Sequence, residues 1–234
     1  MRRQGRRCQL LALLVVACGS ERSGGNPSAT ATKSSPESVR PDPGIGTVLF
    51  VGTSLTAGYG LSADEAFPAR IQAKIDSAGL PFRAVNAGLS GETSAGALRR
   101  IDWLLEQGPV AVLMIETGAN DGLRGQAPDS LRANLRTLLE RVRAAQPQAR
   151  LIVAGMQALP NMGRRYGEQF REVFPEVAGE FDATYLPFLL DGVAGNELLN
   201  QPDGVHPTSA GAAIVAANVW HVLRPVLESV ATER

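Results

Sequence analysis

A chain of 234 residues that is 44% hydrophobic and 20% charged contains enough apolar side chains for one globular domain, which excludes a chain disordered throughout. Its 23 basic and 23 acidic side chains cancel, so the charge pattern excludes a basic surface for nucleic acid. Only two cysteines and two histidines occur, and both cysteines lie near the N-terminus. The globular part is therefore predicted to hold no disulfide, no cysteine nucleophile and no metal site.

The first 17 residues are typical of a targeting signal. Four arginines lie within residues 2–7, and the apolar run that follows at 10–17 is too short to span a bilayer. The run ends in VVAC, which resembles the lipobox of bacterial lipoproteins, in which a diacylglycerol is attached to the cysteine sulfur. We therefore expect 1–17 to be a cleaved lipoprotein signal peptide and Cys18 to be the lipid attachment site. An ordinary signal peptide followed by an incidental cysteine is the alternative.

Residues 18–45 are predicted to form the lipidated Cys18 and a disordered tether. The segment 19–43 is rich in Ser, Gly and Pro and has almost no large apolar side chains, so it cannot bury enough surface to fold. This organisation predicts an exported protein that is lipid-anchored in the bacterial cell envelope and faces the periplasm. Contact with the membrane is expected through the lipid anchor only.

From residue 46 onward, short apolar runs alternate with longer amphipathic segments, which is typical of βαβ units and a parallel sheet. Strands are predicted at 47–51, 82–86, 110–116, 150–155 and 184–186. Helices are predicted at 67–77, 95–106, 130–145, 167–181 and 210–229. The pattern predicts an α/β fold, a three-layer α/β/α sandwich with a central, mostly parallel five-stranded sheet, in a domain covering 46–228 followed by a polar tail at 229–234.

Polar residues follow three of these strands and precede the last helix. Ser54 comes after the first strand, Gly91 lies in NAGLSGETS after the second, and Asn120 lies in GAND after the third. Asp203 and His206 lie in DGVHP, just before the last helix. Because ligands bind at the carboxyl ends of parallel strands, we expect these residues to meet at one edge of the sheet.

Each of these residues has a structural interpretation when it is taken alone, as a turn residue, a helix cap or a partner of a backbone carbonyl. Together they supply what ester hydrolysis requires. Ser54 is predicted to be the nucleophile, His206 its general base, and Asp203 the group that orients the imidazole. The N–H groups of Ser54 and Gly91 and the side-chain amide of Asn120 are predicted to bind the oxyanion.

These four blocks resemble those of the SGNH hydrolases, also called the GDSL lipase and esterase family, over residues 47–225. The stretches SLTAGYGLS, SGETS, GANDGLRG, GRRYGEQF and DGVHP are similar to the bacterial thioesterase I, arylesterase and lysophospholipase subgroup. The resemblance implies a flavodoxin-like sheet and an acyl-enzyme mechanism without a cofactor. One position departs from the family, because Thr53 stands where the family usually has aspartate. We expect this change to affect how rigidly the nucleophile turn is held, and not the mechanism.

The expected partner is a small-molecule ester or thioester: an acyl thioester, a lysophospholipid, or an aryl or short alkyl ester. The loops 57–66, 122–128 and 156–165 are predicted to cover it, with four apolar side chains lining an acyl groove: Leu61, Leu123, Leu159 and Met162. Ordinary loop packing is the alternative for these four. A monomer is favoured. The alternative functions are an acetyl esterase acting on envelope polysaccharides and a non-catalytic lipid- or carbohydrate-binding lipoprotein.

Overall fold

The computed structural model describes residues 46–233, so the predicted signal peptide, Cys18 and the tether lie outside the described residues. The strands are β1 (Gly46–Gly52), β2 (Phe82–Gly88), β3 (Val112–Glu116), β4 (Arg150–Ala154) and β5 (Thr184–Leu186). The helices are α1 (Ser54–Ala57), α2 (Phe67–Ser77), α3 (Ser94–Leu105), α4 (Ala119–Leu123), α5 (Pro128–Ala145), α6 (Arg164–Glu180) and α7 (Ser209–Thr232). A 3-10 turn covers Pro160–Met162.

The five strands form one sheet in the order β2-β1-β3-β4-β5, and every neighbouring pair is parallel. Helices α2 and α7 pack together over one face, while α3, α5 and α6 cover the other. Strand β3 is buried along its whole length, as expected for a central strand covered on both faces. The predicted three-layer α/β/α sandwich with a parallel five-stranded sheet is confirmed.

Helix α7 is the one described helix that is long and apolar enough to meet the composition criteria for a membrane span. Its Val215, Val219, Leu223 and Leu227 are buried in the domain, which is the pattern of a core helix. The helix continues to Thr232, beyond the predicted end at 229, because its last turn also packs on the core through Val230 and Ala231. The predicted polar tail at 229–234 is therefore wrong for residues 229–232.

The strand order places a topological switch point between β1 and β3, because the chain passes from β1 to β2 on one side and then crosses to β3 on the other. Two short helices begin at this point, α1 directly after β1 and α4 directly after β3. With four and five residues, they are too short for hydrophobic periodicity to predict. They carry Ser54 and Asn120 to the same edge of the sheet.

Strand β2 ends two residues later than predicted, at Gly88, where it pairs with the end of β1 at Gly52. Glycine is required at position 88 because a Cβ atom there would lie 2.2 Å from the backbone nitrogen of Ala57 in α1. Helix α1, which begins at Ser54, therefore packs directly onto the end of a neighbouring strand. Strand β3 begins at Val112 rather than at 110.

Candidate active site

Three predicted residues form a continuous row of hydrogen bonds, two from the turn before α7 and one from the distant start of α1. Nε2 of His206 lies 2.8 Å from Oγ of Ser54, and Nδ1 of the same ring lies 2.7 Å from Oδ2 of Asp203. In this order the imidazole can accept the hydroxyl proton on one side while the carboxylate holds the Nδ1 proton on the other. The geometry is suited to activating the serine hydroxyl.

The turn that carries Asp203 also fixes its charge. Its Oδ1 accepts hydrogen bonds from the backbone N–H groups of Val205 (2.9 Å) and His206 (3.0 Å), and Oδ2 faces the imidazole. These bonds, first of all the one from the His206 backbone, lower the pKa of Asp203 from 3.8 to about 2. Gly204 adopts a φ of 71° between them, a conformation that favours glycine. Asp203 is therefore ionised at neutral pH.

Gln201 and Tyr59 hold the loop that contains His206 against the loop that follows Ser54. Neither of these two residues was predicted from the sequence. The backbone N–H of Gln201 donates to the His206 carbonyl at 2.7 Å, and its Nε2 donates to the carbonyls of Tyr59 (2.7 Å) and Pro207 (2.9 Å). The Tyr59 ring contacts the His206 ring, with centroids 4.7 Å apart and the ring planes tilted by 40°. These long-range contacts leave no pattern in the sequence.

The predicted oxyanion donors lie on two further loops. Nδ2 of Asn120 donates one hydrogen bond to the Glu92 carbonyl at 2.9 Å, which leaves the second amide hydrogen available. Within residues 46–233 no hydrogen bond uses the backbone N–H of Ser54 or of Gly91. Gly91 has a φ of 79° and open space where a Cβ atom would stand. Three N–H donors are thus unused in this region.

Helix α4 fixes the loop that contains Gly91. Nη2 of Arg124 donates to the Gly91 carbonyl at 3.0 Å, in addition to the contact that Asn120 makes with this loop. The buried carboxylate of Asp121 accepts the N–H of Ser94 at 2.9 Å and its hydroxyl at 2.5 Å. The loop after β2 is therefore tied at several points to the helix after β3, so that its backbone has a defined orientation.

The turn that precedes Ser54, where Thr53 departs from the family pattern, is held by a buried carboxylate. The backbone N–H and the hydroxyl of Thr53 both donate to Glu116, at 2.8 and 2.9 Å. The backbone N–H and the hydroxyl of Thr56 donate to the same carboxylate, at 3.3 and 2.8 Å. Burial raises the pKa of Glu116, and these hydrogen bonds oppose that shift. The hydroxyl of Thr53 therefore contributes to a well-connected turn.

A cleft of about 540 Å³ opens beside this group, and Ser54, Gly91, Asn120 and His206 all line it. The remaining wall is largely apolar. Seven large apolar side chains contribute to it: Leu55, Leu123, Met156, Leu159, Phe188, Leu190 and Val205. A cleft with a few polar groups at one place and an apolar wall is suited to an acyl or aryl group attached to a reacting carbonyl.

Of the four apolar side chains predicted to line an acyl groove, Leu123 and Leu159 line the cleft. Leu61 and Met162 do not, which corrects the prediction for both. Leu61 faces a separate cavity of about 10 Å³ beside Ser54 and His206. Met162 belongs to the 3-10 turn, and its methyl end approaches Gly125. Phe188 and Leu190, from the loop after β5, line the cleft instead. The order of the strands in the sheet places this loop next to the site.

A family model described as GDSL-like Lipase/Acylhydrolase matches residues 50–214. The chain belongs to this family. Esterase TesA of Pseudomonas aeruginosa is 40% identical over 181 residues, which are 77% of this GDSL-family chain and 89% of the relative. Thioesterase 1/protease 1/lysophospholipase L1 of Escherichia coli is 38% identical over 77% of this chain and 85% of the relative.

Solved structures of similar proteins agree with the assignment of this chain to the GDSL family. A crystal structure of TesA has a TM-score of 0.74 at 40% identity and covers 77% of this chain and 99% of that one. The psychrotrophic esterase EstA from Pseudoalteromonas sp., in a structure inhibited by monoethylphosphonate, has a TM-score of 0.73 at 34% identity and covers 78% and 98%. This GDSL hydrolase is a carboxylic ester hydrolase that acts on esters or thioesters, which confirms the predicted family and reaction class.

Proposed function

We propose that this GDSL hydrolase cleaves its ester or thioester substrates through a covalent acyl-enzyme on Ser54. The observation that carries the proposal is the row of hydrogen bonds from Asp203 through His206 to Ser54, with the imidazole 2.8 Å from the hydroxyl. A serine hydroxyl is a weak nucleophile until a neighbouring base takes its proton, and His206 is placed for that transfer. The ionised Asp203 stabilises the imidazolium that results.

In the first half of the reaction, Oγ of Ser54 attacks the carbonyl carbon while its proton moves to Nε2 of His206. The carbonyl oxygen becomes an oxyanion, which accepts hydrogen bonds from the N–H groups of Ser54 and Gly91 and from the free amide hydrogen of Asn120. Collapse of this intermediate releases the alcohol or thiol, which takes the proton from His206. A water molecule then repeats the sequence on the acyl-enzyme and releases the carboxylic acid.

We propose an apolar acyl or aryl group as the part of the substrate that fills the cleft. Support comes from the cleft's wall, in which Phe188, Leu190 and Leu123 accompany the polar groups. Relatives are named thioesterase, lysophospholipase and arylesterase. An acetyl group on a polysaccharide would leave most of this apolar wall uncovered. Turnover of nitrophenyl esters is expected to rise from acetate to longer acyl chains, and a maximum at acetate would contradict the proposal.

We also propose that the chain is exported and anchored through a lipid on Cys18. The support is the sequence alone, namely the arginine-rich start, the short apolar run and the VVAC pattern. A tether at 18–45 would hold the hydrolase near a membrane surface without inserting it. The measurement is the mass of the mature N-terminus, which should begin at Cys18 and carry the added acyl groups.

Covalent labelling by a fluorophosphonate tests the proposed nucleophile. The reagent is expected to label wild-type protein on Ser54 and to leave the folded Ser54→Ala variant unlabelled and inactive. Asn120→Ala is expected to raise the barrier to turnover by about 3 kcal/mol, because one of three oxyanion donors is lost. Turnover by folded Ser54→Ala at the wild-type rate would overturn the mechanism, and unchanged turnover by Asn120→Ala would remove only its oxyanion role.

A further inference from the structure

Helix α1 begins at the proposed nucleophile, yet its first turn is capped from another strand. The N-cap residue Thr53 makes no side-chain hydrogen bond to its own helix. In a capping box, side chains at the N-cap and at the third helical position bind each other's backbone N–H groups. Here one oxygen of Glu116 accepts both of those N–H groups, from Thr53 and from Thr56. The N–H of Ser54, which lies between them in the chain, is left unbonded in the described part of the chain.

The hydroxyls of Thr53 and Thr56 also donate to this carboxylate, in addition to the two backbone N–H groups. The Thr56 hydroxyl donates to Oε2 at 2.8 Å, and the Thr53 hydroxyl reaches Oε1 at 2.9 Å and Oε2 at 3.1 Å. Both threonines are fully buried. A Cβ atom on Gly52 would lie 2.0 Å from the Thr56 hydroxyl and 2.7 Å from Oε2, so glycine is needed to make room. The backbone just before Ser54 therefore lies so close to Thr56 and Glu116 that only glycine fits at position 52.

Glu116 has no cationic partner among residues 46–233 and does not line the cleft. Its side chain is buried at 1% exposure, so the donors from Thr53 and Thr56 are what compensates for removing its oxygens from water. Displacing those donors would be costly, and the turn is therefore held tightly at the end of β3. The same strand end leads into α4, which carries Asn120.

We propose that Glu116 is a positioning residue that fixes the turn of the nucleophile, so that the hydroxyl of Ser54 meets His206 and its N–H stays free for the oxyanion. This inference rests on the function proposed above for Ser54. Glu116 acts through the turn and does not touch the substrate. Weakening the hydrogen bonds from Thr53 and Thr56 to Glu116 is therefore expected to lower kcat and the rate of fluorophosphonate labelling, with little change in KM.

The decisive comparison is between Thr56→Val and Thr56→Ser, since valine keeps the shape of threonine without the hydroxyl and serine keeps the hydroxyl. Thr56→Val is expected to lower kcat and the labelling rate about ten-fold, with KM within about two-fold, because small misplacements of reacting groups are costly. Thr56→Ser is expected to stay within about two-fold of wild type in each measurement. Equal kcat and labelling rates in the two folded variants would overturn the proposal, whether both variants match wild type or both are impaired.

Glu116→Leu and Glu116→Gln give a second, independent comparison. Leucine removes both acceptors, and the labelling rate is expected to fall about a hundred-fold. Glutamine can place its amide oxygen at Oε2 and donate from its nitrogen to the Thr53 hydroxyl, so most of the labelling rate should remain. A folded Glu116→Leu variant that is labelled at the wild-type rate would refute the positioning role. If Glu116→Leu does not fold, the two Thr56 variants still decide.

Leu139→Ala is the control for lost stability alone, because Leu139 is buried on α5. Its Tm should fall while kcat stays within about two-fold. Hydrolysis that survives in folded Ser54→Ala would end the proposed function itself. Loss of hydrolysis in Ser54→Ala together with an unaffected Thr56→Val would end only the role of Glu116.

Discussion

Asp203 shows how a carboxylate can be kept ionised in an exposed turn. Its side chain is 41% exposed, so burial contributes little. The backbone N–H of His206, the imidazole and the N–H of Val205 all favour the charged form, in that order of effect, and they lower the pKa to about 2. Because the backbone donors come from the same turn, the charge of Asp203 and the conformation of the loop that carries His206 depend on each other.

This coupling predicts a change of stability at acidic pH. A carboxyl whose pKa is lower in the folded than in the unfolded state stabilises the fold above its unfolded pKa, and this contribution is lost as the pH falls through the folded pKa. For Asp203 that window runs from 3.8 down to about 2. The Tm of wild type minus that of Asp203→Asn should be positive and constant above about pH 5, and should shrink between about pH 4 and pH 2. A difference that is independent of pH would contradict this.

The residues of the site differ in how far the sequence could predict them. Three of them, Ser54, Gly91 and Asn120, follow strand ends in short blocks, and the sheet brings those ends together. Asp203 and His206 lie in a short block just before the last helix. Glu116, Gln201 and Tyr59 were not predicted, because their importance lies in contacts with residues that are distant in sequence. Glu116 in particular reads as the last residue of a strand, and only the packing of α1 against β3 shows what it binds.

At the level of elements, the sequence predicts the five strands and the five long helices with boundaries that shift by a few residues. Helix α2 and strand β5 have the predicted bounds. The short helices α1 and α4 were missed, because each is stabilised by tertiary hydrogen bonds and not by an amphipathic pattern. These two helices carry proposed catalytic groups, so the part of the fold that periodicity cannot predict is the part next to the chemistry.

Helix α3 connects two strand ends through one side chain. Arg100 forms two short contacts with the carboxylate of Glu92, at 2.6 and 2.7 Å, and donates to the carbonyls of Ala87 (2.7 Å) and Gly52 (3.3 Å). The side chain of Glu92 is 4% exposed and that of Arg100 is 20% exposed. The pair thus ties the ends of β1 and β2 to the loop that contains Gly91.

Breaking this pair should destabilise the domain far more than breaking a surface pair. Arg100→Met leaves the Glu92 carboxylate buried without its cation, and the free energy of unfolding is expected to fall by about 3 kcal/mol. Arg141→Met is the matched control, since its pair with Asp102 is exposed and should contribute less than about 1 kcal/mol. Urea denaturation measures both. Equal losses of unfolding free energy in the two variants would show that the buried pair has no special role. The double variant Arg100→Met with Glu92→Gln no longer buries an unpaired carboxylate, so it should recover part of the stability lost in Arg100→Met.

For the whole molecule, the order of the sheet decides which loops meet. Because β1 lies between β2 and β3, the loops after these three strands lie side by side, and the loop before α7 closes the group with His206. The sequence predicted the number of strands and their parallel direction. It could not predict which apolar loop residues would line the cleft, because side-chain direction in a loop depends on the backbone conformation and on neighbours brought in by the fold.

The described core and every residue proposed for catalysis lie within 46–233, which predicts that this part of the chain is sufficient for turnover. A chain beginning at residue 46 is expected to fold and to hydrolyse a soluble nitrophenyl ester with kcat/KM within about two-fold of the full chain, since no catalytic contact is removed. Activity assays measure this effect. A folded chain from 46 that had lost turnover would show that residues 1–45 contribute to the site.

Cys18→Ser in the full chain tests the lipid anchor apart from catalysis. Its turnover of a soluble ester should be unchanged, and its N-terminal region should carry no added acyl groups if Cys18 is the attachment site. Activity assays and mass spectrometry of the N-terminal region measure the two effects separately. Acyl groups that remain on the Cys18→Ser protein would refute lipid attachment at Cys18 alone.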